Sequence, residues 1–241
     1  VFDRFQAAYK PALSAVYSKL AKAIGSSDHI AVLDIALSIP DLPSLACQPC
    51  GRVFPHLQRF LAILYKLIAV VCTELNVELD APGGIDTRLI FTDCDAAESS
   101  LTPKQRRPLS QQGPTLGLSS LAASARRWDS IYYLDNKHGQ GLATSFSKYS
   151  SESLQPLPAA SDWTLSEPLQ FCDDGKQYAA HYSVALGGTF DHFHIGHKLL
   201  LTAAALVLEP IREADSNTER LLTIGVTVDE LLVNKKYAEC L

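Results

Sequence analysis

The sequence predicts an α/β fold with parallel strands, and three patterns support this prediction. Apolar runs of strand length alternate with apolar segments of helical spacing in the first 95 residues. Residues 182–208 repeat the order strand, glycine turn and helix, which is the unit that joins parallel strands. The composition, with 47% hydrophobic and 20% charged residues, is typical of a globular protein and not of a disordered one.

The first elements are a helix and a strand. Residues 3–24 carry apolar side chains at helical spacing, and Gly25 is expected to end that helix. Residues 29–37 form an apolar run with the length of a buried strand. Residues 40–55 contain four prolines, so we predict a loop there.

A long apolar helix is predicted at residues 56–75. Lys66 interrupts its apolar core, and the uninterrupted part is too short for a membrane span. We therefore expect this helix to pack against a sheet. A second strand is predicted at residues 87–92, which completes a small α/β unit of helix, strand, helix and strand.

The middle of the chain is less regular. Residues 97–127 are rich in Ser, Pro, Gln and Arg, which indicates a loop or a partly disordered insertion. A further strand is predicted at residues 128–134. The predicted organisation is an N-terminal α/β unit of unknown role at residues 1–135, a polar linker at 136–177 and a second unit at 178–241.

Charge and chain ends restrict the classes of function. The net charge of −5 argues against a nucleic-acid role that rests on bulk positive charge. The chain starts at Val1 and has no Met, so we expect a fragment that lacks its true start. No segment has the pattern of a signal peptide, and isolated cysteines are typical of a reducing compartment. A cytoplasmic location without a membrane partner is therefore expected.

Cys47 and Cys50 have a Cys-x-x-Cys spacing. This spacing occurs in zinc half-sites and in redox pairs. A zinc site needs a second pair of ligands, and the sequence has none at the usual spacing. We interpret the pair as a chance occurrence in a proline-rich loop.

Residues 182–208 are predicted to form an anion site. The apolar run 182–186 is a buried strand, and Gly187 and Gly188 allow a sharp turn and a close approach of a ligand. The Ala- and Leu-rich residues 199–208 form a helix. Free N–H groups and the positive end of the helix dipole would face an anion above the turn.

Two histidines favour a nucleotide as that anion. His194 and His197 are three residues apart, so they lie on one face at the start of the helix. Gly196 between them leaves a bound phosphate unshielded. A metal site would need further ligands, and only Asp191 is near, so we predict nucleotide binding and no metal ligands.

These residues carry a resemblance to a known family. Residues 188–191, Gly-Thr-Phe-Asp, followed by 194–197, His-Ile-Gly-His, resemble the signature of the HxGH nucleotidyltransferase superfamily. With residues 222–229 added, about residues 179–241 resemble phosphopantetheine adenylyltransferases of the archaeal and eukaryotic type. The fold implied is the first half of a Rossmann-like nucleotidyltransferase fold, truncated at Leu241 and preceded by a smaller α/β unit. The position after Asp191 departs from bacterial members, which commonly have Pro where this chain has His192.

The resemblance also implies site residues. The nucleotide would contact Gly188, Thr189, Phe190, His194 and His197; the catalytic residues would be His197 and Lys235; the acceptor phosphate would be held by Thr189 and Lys235. The implied reaction is adenylyl transfer from ATP, with Mg²⁺, to 4′-phosphopantetheine in coenzyme A biosynthesis, giving dephospho-CoA and pyrophosphate. Two alternatives stay open: a cytidylyltransferase acting on a small phosphorylated alcohol, and a non-catalytic scaffold.

Overall fold

A computed structural model describes most of the chain. The described residues are 2–25, 28–38, 50–79, 81–93, 115–124, 126–159, 178–190, 193–209 and 219–227. Their helices are α1 (Phe2–Ile24), α2 (Cys50–Leu75), α3 (Leu118–Ala122), α4 (Lys137–Phe146) and α5 (Ile195–Val207). Their strands are β1 (Ala31–Ser38), β2 (Ile85–Asp93), β3 (Thr115–Gly117), β4 (Ile131–Leu134), β5 (Leu154–Leu157), β6 (Ser183–Gly188) and β7 (Leu221–Val226).

The predicted α/β fold with parallel strands is confirmed. The strands form three parallel sheets in the orders β1-β2-β3, β4-β5 and β6-β7. In the first sheet Ala31 lies beside Ile85 and Ser38 beside Thr92, so the two predicted N-terminal strands are direct neighbours. Gly25 ends α1 at a φ of 58°, as its lack of a Cβ atom allows.

The main hydrophobic core forms around α2. Leu67, Ile68 and Val71 are 0% exposed and pack with residues of α1, β1, β2 and α5. Among the described residues, one helical stretch, 54–75, is long and apolar enough to span a membrane, and half of it is buried inside the protein. This helix therefore supplies the core side chains of an α/β protein, as its predicted packing against a sheet required.

The start of α2 corrects the prediction of a loop at residues 40–55. The helix begins at Cys50 and contains Pro55. A proline near a helix start removes a single bond of the ladder. At the first residue of the helix the Glu209 carboxylate accepts the Cys50 N–H at 2.5 Å, which satisfies one of the N–H groups that a helix start leaves without a partner. Residues 39–49 lie outside the described residues.

The predictions for residues 97–127 and 136–177 are corrected, because short helices and strands form there and are buried by distant parts of the chain. Residues 97–127, predicted to form an irregular insertion, contain β3 and α3, which bury Leu118 and Leu121 against Ile90 of β2. The part of this insertion before residue 115 is not described.

The predicted linker at residues 136–177 contains α4 and β5. Asn136 caps α4 by accepting the Gly139 N–H at 2.8 Å, and β5 pairs with β4. Polar composition concealed these elements, since each buries only one or two side chains, such as Phe146 and Leu157. The division of the chain into two domains stays a prediction, and residues 160–177 lie outside the described part.

The C-terminal unit forms as expected between residues 183 and 226. β6 and β7 are adjacent and parallel, with Ser183 beside Leu221 and Gly188 beside Val226. The connecting helix α5 packs on α2, and its Leu206 is a member of the main core. This places the start of α5, which carries the two histidines, above the carboxyl end of β6.

Candidate functional site

The candidate site begins where β6 ends. The Gly188 carbonyl accepts two hydrogen bonds from Thr227, one from its N–H at 3.0 Å and one from its hydroxyl at 3.3 Å. These bonds hold the ends of β6 and β7 together. Two residues later, Phe190 has a φ of 49°, in the left-handed region. Such a conformation costs a bulky residue about 1–3 kcal/mol and is concentrated at functional sites.

His194 closes the start of α5. It is the N-cap residue, and its Nδ1 atom accepts the Gly196 N–H at 3.0 Å. Because Nδ1 is the acceptor, the proton of the neutral ring is on Nε2. His194 therefore satisfies one of the N–H groups that the helix start leaves without an intrahelical partner.

His197 lies among aromatic rings. Its ring centroid is 4.1 Å from that of His194, 4.9 Å from that of Phe190 and 6.0 Å from that of Phe193, with which it is nearly parallel at 17°. Such contacts limit the rotation of the imidazole ring. The geometry thus presents two imidazole rings side by side at the positive end of a helix dipole.

The lack of a side chain at Gly196 has a steric reason that could not be predicted from the sequence. A Cβ atom at this position would be 2.8 Å from Cε1 and 3.0 Å from Nδ1 of His194. These are the atoms with which His194 covers the helix start. Gly196 therefore makes room for the His194 ring that caps the helix.

The predicted site residues are only partly described. The structure brings Gly188, Phe190, His194 and His197 together, since a Cβ atom on Gly188 would be 3.2 Å from the Phe190 ring, which in turn contacts His197. Thr189 lies between Gly188 and Phe190. Lys235 and Asp191 lie outside the described residues, so the part assigned to the lysine stays a prediction.

No acidic or metal-binding cluster adjoins the two histidines within the described residues. Across residues 2–25, 28–38 and the later described ranges, no group of three or more His, Cys, Asp or Glu side chains is close enough to hold a metal ion. Cys50, one half of the Cys-x-x-Cys pair, instead donates from its Sγ atom to the Leu208 carbonyl at 3.3 Å.

An ion pair that the sequence did not predict lies next to the site. Lys198, which follows His197, is 8% exposed, and its Nζ atom donates to Asp86 Oδ1 at 2.5 Å and to the Thr87 carbonyl at 3.2 Å. Burial alone would raise the pKa of the Asp86 carboxyl, but the hydrogen bonds and positive charges of Lys198 and Arg88 hold that pKa below its usual value. A lysine in an otherwise apolar helix indicates a buried partner, but sequence does not say which carboxylate it is.

Comparison with known proteins places the first two thirds of the chain in a family. Residues 2–163 match the family described as Domain of unknown function (DUF8446). The chain belongs to the DUF8446 family. The match includes α4 and β5, so it extends through the first part of the predicted linker. We call residues 2–163 the DUF8446 segment and residues 178–227 the motif segment.

Individual relatives are similar to shorter stretches of this chain. Phosphopantetheine adenylyltransferase of Saccharomyces cerevisiae is 47% identical over 67 residues, which are 27% of this chain and 19% of that protein. The enzyme of the same name from Thermococcus gammatolerans is 43% identical over 56 residues, 23% of this chain and 28% of that protein. An uncharacterized protein of Schizosaccharomyces pombe is 34% identical over 117 residues, 47% of this chain and 33% of that protein.

The chain therefore spans between 19% and 33% of the length of these three relatives. No solved structure matches it. The resemblance to phosphopantetheine adenylyltransferases is thus confirmed as a partial one, and the fold is a mixed α/β fold with parallel sheets, consistent with the Rossmann-like class.

Proposed function

We propose that the motif segment is the phosphate-binding part of a nucleotidyltransferase that transfers the adenylyl group of ATP to 4′-phosphopantetheine. The observation that carries the proposal is the pair of imidazole rings, 4.1 Å apart, on the first turn of α5 directly after the β6 turn. The identity of 41–47% with enzymes named phosphopantetheine adenylyltransferase, over 56–67 residues, supports this chemistry and the acceptor.

The reaction needs alignment more than acid–base chemistry. A phosphate oxygen of 4′-phosphopantetheine attacks the α-phosphorus of ATP, the bond from that phosphorus to the bridging oxygen breaks, and pyrophosphate leaves. The nucleophile is already an anion, so no strong general base is required. The protein's part is to hold the two phosphates in line and to stabilise the charge that builds up on the oxygens.

Each residue of the site has a part in this proposal. His197 donates to a phosphate oxygen as charge develops, and the Nε2–H of His194 contacts the triphosphate beside it. The backbone N–H groups of Gly188 and Phe190 line the turn, and the left-handed conformation of Phe190 is how its peptide group is turned there. Thr189 binds the acceptor phosphate.

Lys235 belongs to the proposal on the resemblance alone. It supplies a mobile positive charge to the acceptor phosphate, and Lys236 is its substitute. Lys235→Ala should lower turnover and acceptor use more than nucleotide affinity. Unchanged kinetics would remove the lysine from the mechanism or transfer its part to Lys236.

Magnesium fits this site as a partner of ATP. The described residues around the histidines offer N–H donors and imidazoles, whereas Mg²⁺ prefers oxygen ligands and binds largely through substrate phosphates and water. The ion would therefore enter with ATP and neutralise the leaving pyrophosphate. The chain's own residues would hold the α-phosphate and the acceptor.

The test is pyrophosphate release by the full-length protein with 4′-phosphopantetheine and either ATP or CTP, in the presence of Mg²⁺. Turnover with ATP, together with formation of dephospho-CoA, supports the proposal. Turnover with CTP and a small phosphorylated alcohol would identify a cytidylyltransferase instead. Binding of neither nucleotide, with no pyrophosphate formed, would favour a non-catalytic scaffold.

A further inference from the structure

We infer that Asp86, in the DUF8446 segment, is a positioning residue for the histidine helix of the motif segment. This inference rests on the proposed function, and it assigns a part in that function to residues 2–163, which match a family described as a domain of unknown function. Asp86 acts through Lys198, which follows His197 in α5. It thereby fixes the rotation of α5 about its axis and the direction in which His197 points.

Lys198 connects α5 to β2. It is 8% exposed, and its side chain extends from the first turn of α5 to the start of β2, where Nζ donates hydrogen bonds to Asp86 and to the Thr87 carbonyl. An ammonium group is rarely buried unless it is paired and hydrogen-bonded. Two bonds to adjacent residues of one strand hold this ammonium at a defined place, which holds the start of α5 as well.

The two residues that Lys198 contacts, Asp86 and Thr87, are themselves held by other side chains. Thr87 is 1% exposed, and its hydroxyl is hydrogen-bonded at 2.5 Å to that of Tyr17, which is 0% exposed in α1. Asp86 is itself held by Arg88, with 2.7 Å between the guanidinium and the carboxylate. Lys198 is therefore anchored to the interior of the DUF8446 segment and not to a mobile surface.

An independent contact lies at the other end of α5. Glu209, two residues after the helix, is 2% exposed and accepts the Cys50 N–H of α2 at 2.5 Å. The Cys50 Sγ atom donates to the neighbouring Leu208 carbonyl. Since α5 is held by charged groups at both ends, the DUF8446 segment sets its position as well as its stability.

The buried pair predicts an asymmetry between its two partners. Asp86→Asn removes the carboxylate that the buried Lys198 ammonium bonds at 2.5 Å, which is the costly case. Lys198→Met keeps the length of the side chain and leaves Asp86 paired with Arg88. The first change should therefore disturb α5 more than the second, and the double variant should be less disturbed than Asp86→Asn alone.

Glu74→Gln supplies the control. Glu74 of α2 forms an ion pair with Lys10 of α1 at 2.6 Å, so this variant also replaces a paired carboxylate by an amide within the DUF8446 segment. The Lys10 and Glu74 side chains are 28% and 49% exposed, against 9% and 19% for Lys198 and Asp86. In the full-length protein we expect Asp86→Asn to lower kcat about 10- to 100-fold with little change in the KM for ATP, because displacement of a catalytic group costs rate more than ground-state binding.

Glu74→Gln should leave both constants unchanged. The double variant Asp86→Asn with Lys198→Met should regain part of the lost kcat. If Asp86→Asn and Glu74→Gln have the same kcat, the inference is overturned. It is also overturned if kcat and melting temperature fall together in Asp86→Asn and in Glu74→Gln, since that result shows a general loss of stability.

Hydrogen exchange separates this inference from the proposed function. The Lys198 N–H bonds the His194 carbonyl at 3.1 Å, so its exchange rate reports on the first turn of α5 without any substrate. It should exchange at least several-fold faster in Asp86→Asn than in Glu74→Gln. If the wild-type protein turns over neither ATP nor CTP, the proposed function fails, and this exchange rate still decides whether Asp86 positions the helix.

Discussion

In the DUF8446 segment the side chains of α2 are buried on several sides, whereas the strands of the motif segment are largely open. Ile68 of α2 is 0% exposed, but Ile224 and Val226 of β7 are 45% and 60% exposed. The deeply buried side chains thus lie mainly in the DUF8446 segment, and the motif segment contributes Leu206 of α5 to the main core. The difference shows that α5 joins the site to the main core, through Leu206 and through the pair of Lys198 with Asp86.

The largest expected effect compares one isoleucine in each segment. Ile68→Ala should lower the free energy of unfolding by about 2–5 kcal/mol, because it removes buried methyl groups and leaves a cavity in the main core. Ile224→Ala, at a position that is 45% exposed in this 241-residue chain, should cost that chain less than about 1 kcal/mol. Denaturant titration of both variants measures the difference. Equal losses would show that β7 is as deeply packed as α2.

A change in the motif segment should affect rate and not stability. His197→Asn keeps a small polar side chain and should lower turnover by about 10²–10³ while ATP affinity falls only modestly, since a donor to the transition state is lost. His181→Asn, at an exposed position outside the site, is the control and should keep normal turnover. Near-normal turnover of His197→Asn would leave that histidine with a structural part only.

Two helical glycines, Gly141 of α4 and Gly196 of α5, should respond differently to replacement by alanine. Gly141→Ala in α4 meets open space and should stabilise the protein by about 0.4–1 kcal/mol through a less flexible unfolded chain. Gly196→Ala should displace the His194 ring from the Gly196 N–H that it caps. The loss of this cap should lower the free energy of unfolding by about 1 kcal/mol, which offsets the gain from replacing glycine by alanine. Turnover should fall only in Gly196→Ala. Thermal melting and the pyrophosphate assay test both, and an unchanged site in Gly196→Ala would contradict the steric role of this glycine.

The smallest expected effect is the pH dependence of the ion pair between the segments. The folded state holds the pKa of Asp86 below its usual value, so the stability it contributes is present above the unfolded pKa of about 3.9 and is lost as the pH falls through the folded value. The difference in unfolding free energy between wild type and Asp86→Asn should be constant above about pH 5 and shrink below about pH 4. A difference that grew on acidification would have the wrong sign for this pair.

Local patterns were sufficient for the longer elements and for the motif. The helical spacing of α1, the apolar runs of β1 and β2 and the strand–turn–helix order around Gly188 all correspond to observed elements. They could be predicted because each repeats its pattern over several residues, or depends on a glycine with a local conformational reason, such as Gly25.

The short elements could not be predicted in the same way. β3, α3, α4 and β5 are three to ten residues long and have mixed composition. Their few apolar side chains are buried by residues far away in the chain, as when Leu118 and Leu121 pack with Ile90. Local propensity is weak over such lengths, so tertiary burial decides whether they form.

The chemistry of the turn could be predicted from the amino-acid sequence: the glycines, the two histidines three residues apart and the helix that follows them. Those depend on spacing along the chain, and local geometry converts spacing into a shared face. The contacts of Lys198 with Asp86 and of Glu209 with Cys50 are visible in the folded structure alone, because the two residues of each pair are more than 100 positions apart in the chain. A buried charge has to find an opposite charge or a donor, and the fold alone determines which one lies within reach.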